Sequence, residues 1–250
     1  MIAPKPTAQR KGQQTRAAIV AAALEHAARN GLEGITIGAL AERMQMSKSG
    51  VFAHFGSREE LQIAVLKAYE VRFIDTILKP ALSEPRGLPR LVAILERWLE
   101  QTVVEATMGC IWVSGASEYD DRPGAVRDEL VAKIEGWQRE LGRAIGQAIQ
   151  VGHLKPDTDI DDVVFGIYGV VLVLHHDARL MRSADALPRA RRALGRFLRQ
   201  YAVADVPPAV AALARLARTD RRVAAGPRPA VVNDAPGARP SESLPRDHAV

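Results

Sequence analysis

The sequence predicts an all-α fold: a small three-helix head at the N-terminus, followed by a larger helical domain. Three observations carry this expectation. Apolar residues recur at helical spacing through nearly every segment before residue 205. No segment alternates with the period of two that a half-buried strand requires. With 47% hydrophobic and 25% charged residues among 250, the chain has an ordinary globular composition and enough apolar mass for a sizeable core.

Taken in order, residues 1–12 hold Pro4, Lys5, Pro6, Arg10 and Lys11 and read as a flexible basic arm, either lying along a polyanion or without a role. The first helix is expected from Gln13 or Gln14. Ile19, Val20, Ala23, Leu24 and Ala27 form its buried face, and Asn30-Gly31 ends it in a left-handed cap. The hydroxyl of Thr36 caps a second helix, on which Ile37, Leu40, Ala41 and Met44 make one apolar stripe. Gln45 and Met46 fill a tight turn. Ser47 caps a third helix, Lys48 to His54, which exposes Lys48, Ser49 and Gly50 and turns Val51 and Phe55 inward. That helix is too short and too polar to stabilise a fold by burial, and it suits insertion into a partner. Ser57 and Glu60 form a capping box, so a fourth helix opens at Arg58. Its stripe Leu61, Val65, Tyr69, Phe73, Ile77 runs to Lys79, where Lys79-Pro80 is expected to stop it.

Two short helices joined by a tight turn, the second with an exposed polar face, are the pattern of a helix-turn-helix whose second helix enters the major groove of DNA. The stretch L-A-E-R-M-Q-M-S-K-S-G-V-F-A-H-F-G-S-R-E-E-L resembles the signature of the tetracycline-repressor (TetR/AcrR) family of bacterial regulators. Thr36, Leu40-Ala41, Ser47, Gly50, Phe52, His54-Phe55, Arg58 and Leu61 carry the match over about residues 13–62. Phe52 stands where the family usually has tyrosine, Arg58 where it usually has lysine, and Met44-Gln45-Met46 where it often has Ala-Gly-Val. The resemblance implies DNA contacts from Thr36, Ser47, Lys48, Ser49, Gly50, Phe52, His54 and Arg58. It also implies that the helix over 58–79 joins the head to an effector domain.

The expected domains are the arm at 1–12, the head at 13–62, an effector-binding and dimerisation domain at 80–204, and a largely disordered tail at 205–250. Apolar periodicity marks helices from Leu88 to about Thr107, Cys110 to Glu118, Val126 to Ile149, Asp159 through Leu174, and Leu187 to about Ala204. Ala209 to Arg218 reads at most as a frayed helix. The segment from Gly109 to Asp128 resembles a motif of one subgroup of the family, with Asp120 to Gly124 as a turn whose carboxylates lie near the next helix N-terminus. Gly166 and Gly169 inside a helix call for a close helix neighbour or for ligand space. In the family the last two long helices form the dimer interface, which favours the first.

Trp98, Met108, Cys110, Trp112, Tyr119, Trp137, Tyr168 and His175 fall on helices that enclose the ligand cavity in the family, and are the candidate effector contacts. A filled aromatic core is the other reading of the same residues. Few charges share those faces, so an effector should be mainly apolar or aromatic. No catalytic or metal-binding constellation is visible. His175, His176 and Asp177 are consecutive and point about 100° apart on a helix, and no spacing offers three or four convergent metal ligands. The phosphate-binding glycine motifs are absent, so neither a cofactor nor an enzymatic activity is expected.

Charge agrees with the head's reading. Residues 1–58 hold eight cations against three anions, a surplus equal to the chain's whole net charge of +5. A single cysteine suits a reducing compartment, and cations without an apolar segment behind them do not make an export signal, so the expected location is the cytoplasm. The expected function is a homodimeric transcriptional repressor, released from a palindromic operator by a small apolar or aromatic ligand. The alternative is a ligand-independent architectural DNA-binding dimer.

Overall fold

A computed structural model describes residues 8–217, and those residues are helical with short connections. α1 spans Ala8–Asn30. It opens five residues before the expected start, because Ala8 to Arg16 is mostly strong helix formers, interrupted by Gly12 and Thr15. Residues 8–12 of the expected arm are therefore helical, and the rest of that arm lies outside the described residues. Gly31 ends α1 at φ 77°, the left-handed cap expected there.

α2 (Ile37–Arg43) and α3 (Lys48–Phe55) follow, each capped by the expected hydroxyl: Thr36 accepts from the Ala39 N–H at 3.1 Å and Ser47 from the Gly50 N–H at 3.0 Å. Gln45, in the turn between them, takes a left-handed φ of 54°. Ser57 caps α4 (Arg58–Phe73) by accepting from the Glu60 N–H. α4 does not stop at Pro80. It passes through a π-helical turn, Ile74–Leu78, into one further turn, α5 (Lys79–Ala81). Pro80 sits in the first turn of α5, where its missing N–H is tolerated.

The body comprises α6 (Leu88–Met108), α7 (Ile111–Tyr119), α8 (Ala125–Gln150), α9 (Ile160–Arg179), α10 (Ala186–Arg199) and α11 (Pro207–Ala217). α6 is its centre, packed against α8, α9, α10 and α11, while α4 packs on α1 in the head and on α8 in the body. One contiguous core runs from Ile19 in α1 to Leu216 in α11. The imidazole of His153 accepts the first free N–H of α6, from Leu88, at 3.1 Å.

Residues 120–124 form the expected turn before α8, whose N-cap is Gly124 with no side-chain bond. Two further expectations change. α10 ends at Arg199 rather than near Ala204, because residues 201–203 pair with the 153–155 loop, including a bridge between Leu154 and Ala202. The tail does not begin at 205. Ala209, Ala212, Leu213 and Leu216 of α11 are buried against α6 and α10, and Arg215 pairs with Glu96 at 2.9 Å and Glu84 at 3.5 Å. The rest of the expected tail lies outside the described residues. No described helix is long and apolar enough to cross a membrane.

Candidate functional site

The head positions α3 by two buried anchors, Val51 and Phe55, and the Arg16 guanidinium lies 4.8 Å from the Phe55 ring centroid. Everything else on α3 faces outward or sideways. Lys48 and Ser49 are exposed at its N-terminal end, and Phe52 keeps half its surface in solvent. An aromatic ring left that open on an eight-residue helix contributes little to folding, which makes it informative. Gly50 admits the cap: a Cβ there would meet the Ser47 hydroxyl at 3.1 Å. Ser49 Oγ lies 3.1 Å from Ser47 Oγ, so the two hydroxyls are hydrogen-bonded to each other. Thr36 is exposed, and half-buried His54 edges onto Phe55. Seven of the eight residues expected at DNA therefore lie on or beside the α2–α3 unit.

Arg58 is different. Its Nε donates to the Ile35 carbonyl at 2.7 Å, and its Nη2 donates to the Glu33 carbonyl and to Glu33 Oε2. The guanidinium is thus committed inside the head, to the loop between α1 and α2. A planar fork fits several oxygens at once, and 41% of the side chain stays exposed beside the α2–α3 unit.

That loop is also held from the body. Tyr119, at the end of α7, donates its hydroxyl to Glu33 Oε1, and Arg122 approaches Glu33 Oε2 at 3.2 Å. Glu118 Oε2 accepts the Glu33 N–H at 2.8 Å, and Gln62, almost wholly buried, donates to the Leu32 carbonyl. The Tyr119 hydrogen bond, followed by Arg58, holds the Glu33 carboxyl below the usual carboxylate range against the opposing effect of burial. Burial first, then Glu33, pushes the Tyr119 phenol upward. Nearby, Gly109 at φ 110° brings the α6–α7 corner so close to Ala28 that a Cβ would fall 1.6 Å from its carbonyl oxygen. Tyr119 is therefore a head-to-body contact.

The other candidate effector residues divide. Trp98, Trp112, Trp137 and Tyr168 come together, with Tyr69 and Phe73 of α4 among them. Phe73 lies 4.4 Å from Trp112 and 4.9 Å from Trp137, Trp98 lies 5.3 Å from Trp137 and 5.2 Å from Tyr168, and Tyr69 lies 5.2 Å from Trp112, all between ring centroids. The rings fill the space against one another. Trp112 Nε1, Trp137 Nε1, Tyr168 Oη and His175 Nε2 are buried with no hydrogen-bond partner in the protein. Beside the rings, buried Glu105 accepts from Tyr69 Oη at 2.7 Å and from Gln101 Nε2 at 3.1 Å. Burial, and then the Glu105 carboxylate, pushes the Cys110 thiol up to about 12, so it is a neutral thiol. Met108 is partly exposed and lines a slot of about 60 Å³ beside Tyr69 and Glu105. His175 is half-buried two turns beyond Tyr168, and burial, then Arg179 and His176, lowers its pKa.

Sequence reasoning passed over Glu33, Gln62, Glu105, Glu118 and Arg122, because single polar residues on amphipathic helices and loops carry no periodic signal. Tyr69 and Phe73 were visible as a buried stripe, though not as partners of the tryptophans.

On the far side of the body, α9 leaves Phe165 82% exposed and Val173 60%, with Leu172 half-exposed. Gly169 on the same helix meets nothing within 4 Å, whereas a Cβ at Gly166 would strike the Phe197 ring of α10 at 2.2 Å. Close approach thus explains Gly166, within the chain itself. Among the described residues no group of three or more His, Cys, Asp or Glu is arranged to hold a metal.

Two family models match the chain: "Bacterial regulatory proteins, tetR family" over residues 19–65 and "Tetracyclin repressor-like, C-terminal domain" over residues 87–194. Among solved structures, a TetR transcriptional regulator from Chloroflexus aurantiacus superposes with a TM-score of 0.68 at 25% identity, covering 77% of this chain and 98% of its own. A TetR-family regulator from Cytophaga hutchinsonii gives 0.67 at 20% identity, covering 80% and 99%. A regulator from Saccharomonospora viridis, solved in complex with choline, gives 0.63 at 18% identity, covering 75% and 96%. No curated protein matches.

Proposed function

We infer that this chain, which belongs to the tetR family of bacterial transcriptional regulators, is a homodimeric repressor that leaves a palindromic operator when a small organic ligand binds its body. Proteins of this family regulate transcription and are not enzymes. The observation that carries the DNA-binding reading is α3 itself: a capped helix held by Val51 and Phe55 alone, with Lys48, Ser49 and Phe52 free for a partner. A helix N-terminus with exposed hydroxyls and a cation reaches base edges or phosphates when it enters the major groove. Domain roles follow the same division, with the head on DNA and the body behind α5 binding the effector and the second copy.

The exposed apolar face of α9 supports dimerisation. Phe165, Gly169, Leu172 and Val173 lie along one side of the helix, and a two-fold axis would set that side against its own copy. Two heads so joined read half-sites about 34–36 Å apart, or multiples of that, along one face of the duplex. A ligand that favours a dimer with differently spaced heads lowers operator affinity by shifting the population.

The test is a gel-shift titration at fixed salt. Lys48→Ala weakens specific binding by about 1–3 kcal/mol while the oligomeric state is unchanged; an unaltered affinity removes Lys48 from the interface. The architectural reading rests on a specific observation too, the filled aromatic core of the body. It is favoured if no small molecule changes operator occupancy.

A further inference from the structure

α10 is covered on most of its sides and open on one. It packs against α6, α9 and α11, all in the body, and Leu187, Ala190, Leu194 and Leu198 are its buried residues there. The open side is a row of arginines. Arg189, Arg192, Arg196 and Arg199 are exposed and recur in steps of three, four and three residues, so they line one face over about 15 Å. By helical geometry that face lies about 120° round α10 from Phe197, whose ring lies against Gly166 of α9. The row is therefore distinct from the open apolar side of α9.

Nothing within the chain accounts for the row. Arg191, on the covered side, pairs with Glu100 at 2.6 Å. Arg189 reaches Asp185 only at 4.0 Å, and among the described residues no carboxylate pairs with Arg192, Arg196 or Arg199. Like charges three and four residues apart on a helix repel, so the row destabilises α10. Arg196 and Arg199 offset part of this in the last turn, where cations suit the helix dipole, but Arg189 and Arg192 do not. Residues 179–199 hold seven arginines and one acid, whereas residues 59–178 hold 20 acids and 12 cations. An acidic stretch thus separates this basic one from the basic head.

Chemistry narrows the partner. Every cation of the row is arginine, whose planar fork matches phosphate. The apolar residues of α10 are committed to the body's core, so the helix has none to insert into lipid. We propose that the arginine row of α10 binds the phosphate backbone of a second DNA duplex while the heads hold the first. Contacts of this kind position a duplex without reading its sequence. Because the packing partners of α10 all belong to the body, the row is a separate DNA-binding surface and not an extension of the head's own.

The experiment uses full-length protein bound to an immobilised genomic fragment that it retains, then offered a fluorescent duplex of unrelated sequence at about 50 mM salt, where backbone contacts are strong. A variant combining Arg192→Gln, Arg196→Gln and Arg199→Gln should hold the first duplex as wild type does and capture at least tenfold less of the second. The variant combining Arg192→Lys, Arg196→Lys and Arg199→Lys keeps the charge and should keep most of the capture. The salt slope of wild-type capture should exceed that of the glutamine variant by about three, one for each lost phosphate contact. Equal capture by wild type and the glutamine variant overturns the proposal, as does a lysine variant that falls as far as the glutamine one. A changed oligomeric state in the glutamine variant places the row between copies of the chain and overturns it too. Polyglutamate that competes as well as unlabelled duplex assigns the row to an acidic protein, against the proposal. Failure to hold the first duplex refutes the head's reading and bridging with it; failure to capture the second while the first is held refutes the row alone.

Discussion

Arg58 ties the N-terminus of α4 to the loop before α2. An arginine at a helix N-terminus beside a DNA-reading helix invites a phosphate contact. Here its fork is filled by Ile35 O, Glu33 O and Glu33 Oε2. Hydrogen bonds from a charged donor contribute about 1.5–3 kcal/mol each, and with the side chain 41% exposed the lower end applies. Arg58→Ala should therefore lower the thermal midpoint by several degrees, while the salt slope of DNA binding stays as it is. A midpoint equal to wild type, with a slope reduced by about one, would return Arg58 to the phosphate backbone. The neighbouring caps were legible in the sequence because hydroxyl residues before apolar stripes have one economical use, and Thr36, Ser47 and Ser57 are bonded accordingly. Arg58 was not, because its acceptors come from a loop 23 and 25 residues earlier in the chain, and nothing local announces a carbonyl.

At the scale of elements, α7 and α11 matter most. α7 carries Trp112 near one end and Tyr119 at the other, so one nine-residue helix touches both the aromatic core and the loop before α2. The Tyr119 hydroxyl depresses the Glu33 pKa below its unfolded value. A carboxylate depressed in the native state adds stability above the unfolded pKa, about 4.3, and loses it as pH falls through the lower native value. The midpoint gap between wild type and Tyr119→Phe should then be largest near neutrality and shrink as pH falls below about 4.3. A gap independent of pH would mean that the phenol acts by packing alone.

α11 carries the second prediction at this scale. Leu213 and Leu216 are buried, and each such side chain contributes about 1.5–3 kcal/mol. Ending the chain after Asp205 should lower the melting midpoint by several degrees, and ending it after Ala217 should restore it. Equal midpoints for the two truncations would show that α11 is dispensable. The sequence marked Ala209 to Arg218 only as a frayed helix, because a short alanine-rich segment before a polar, proline-rich tail resembles a linker. Its partners on α6 and α10 are what make it a core element, and those partners lie in other parts of the chain. The longer helices were legible because twenty or more residues of unbroken periodicity outweigh local ambiguity.

For the whole molecule, the claim is a sequence-reading head coupled to a ligand-responsive body through two copies of the chain. The head's class was readable from two helices of about two turns each and their caps. The body's occupant was not, since periodicity says that Trp98, Trp112 and Trp137 face inward but not that Phe73 already lies among them. The proposal of a dimer rests on the open apolar face of α9, and a two-fold dimer would call for a symmetric site on DNA. The most direct measurement is to sequence the fragments of the source genome that purified wild-type protein retains at about 150 mM salt, with Lys48→Ala in parallel. The account predicts a small set of fragments sharing an inverted repeat, with half-site centres about 10–10.5 base pairs apart or a multiple of that, and their loss with Lys48→Ala. Even retention across the genome, with no shared repeat and no dependence on Lys48, would contradict it.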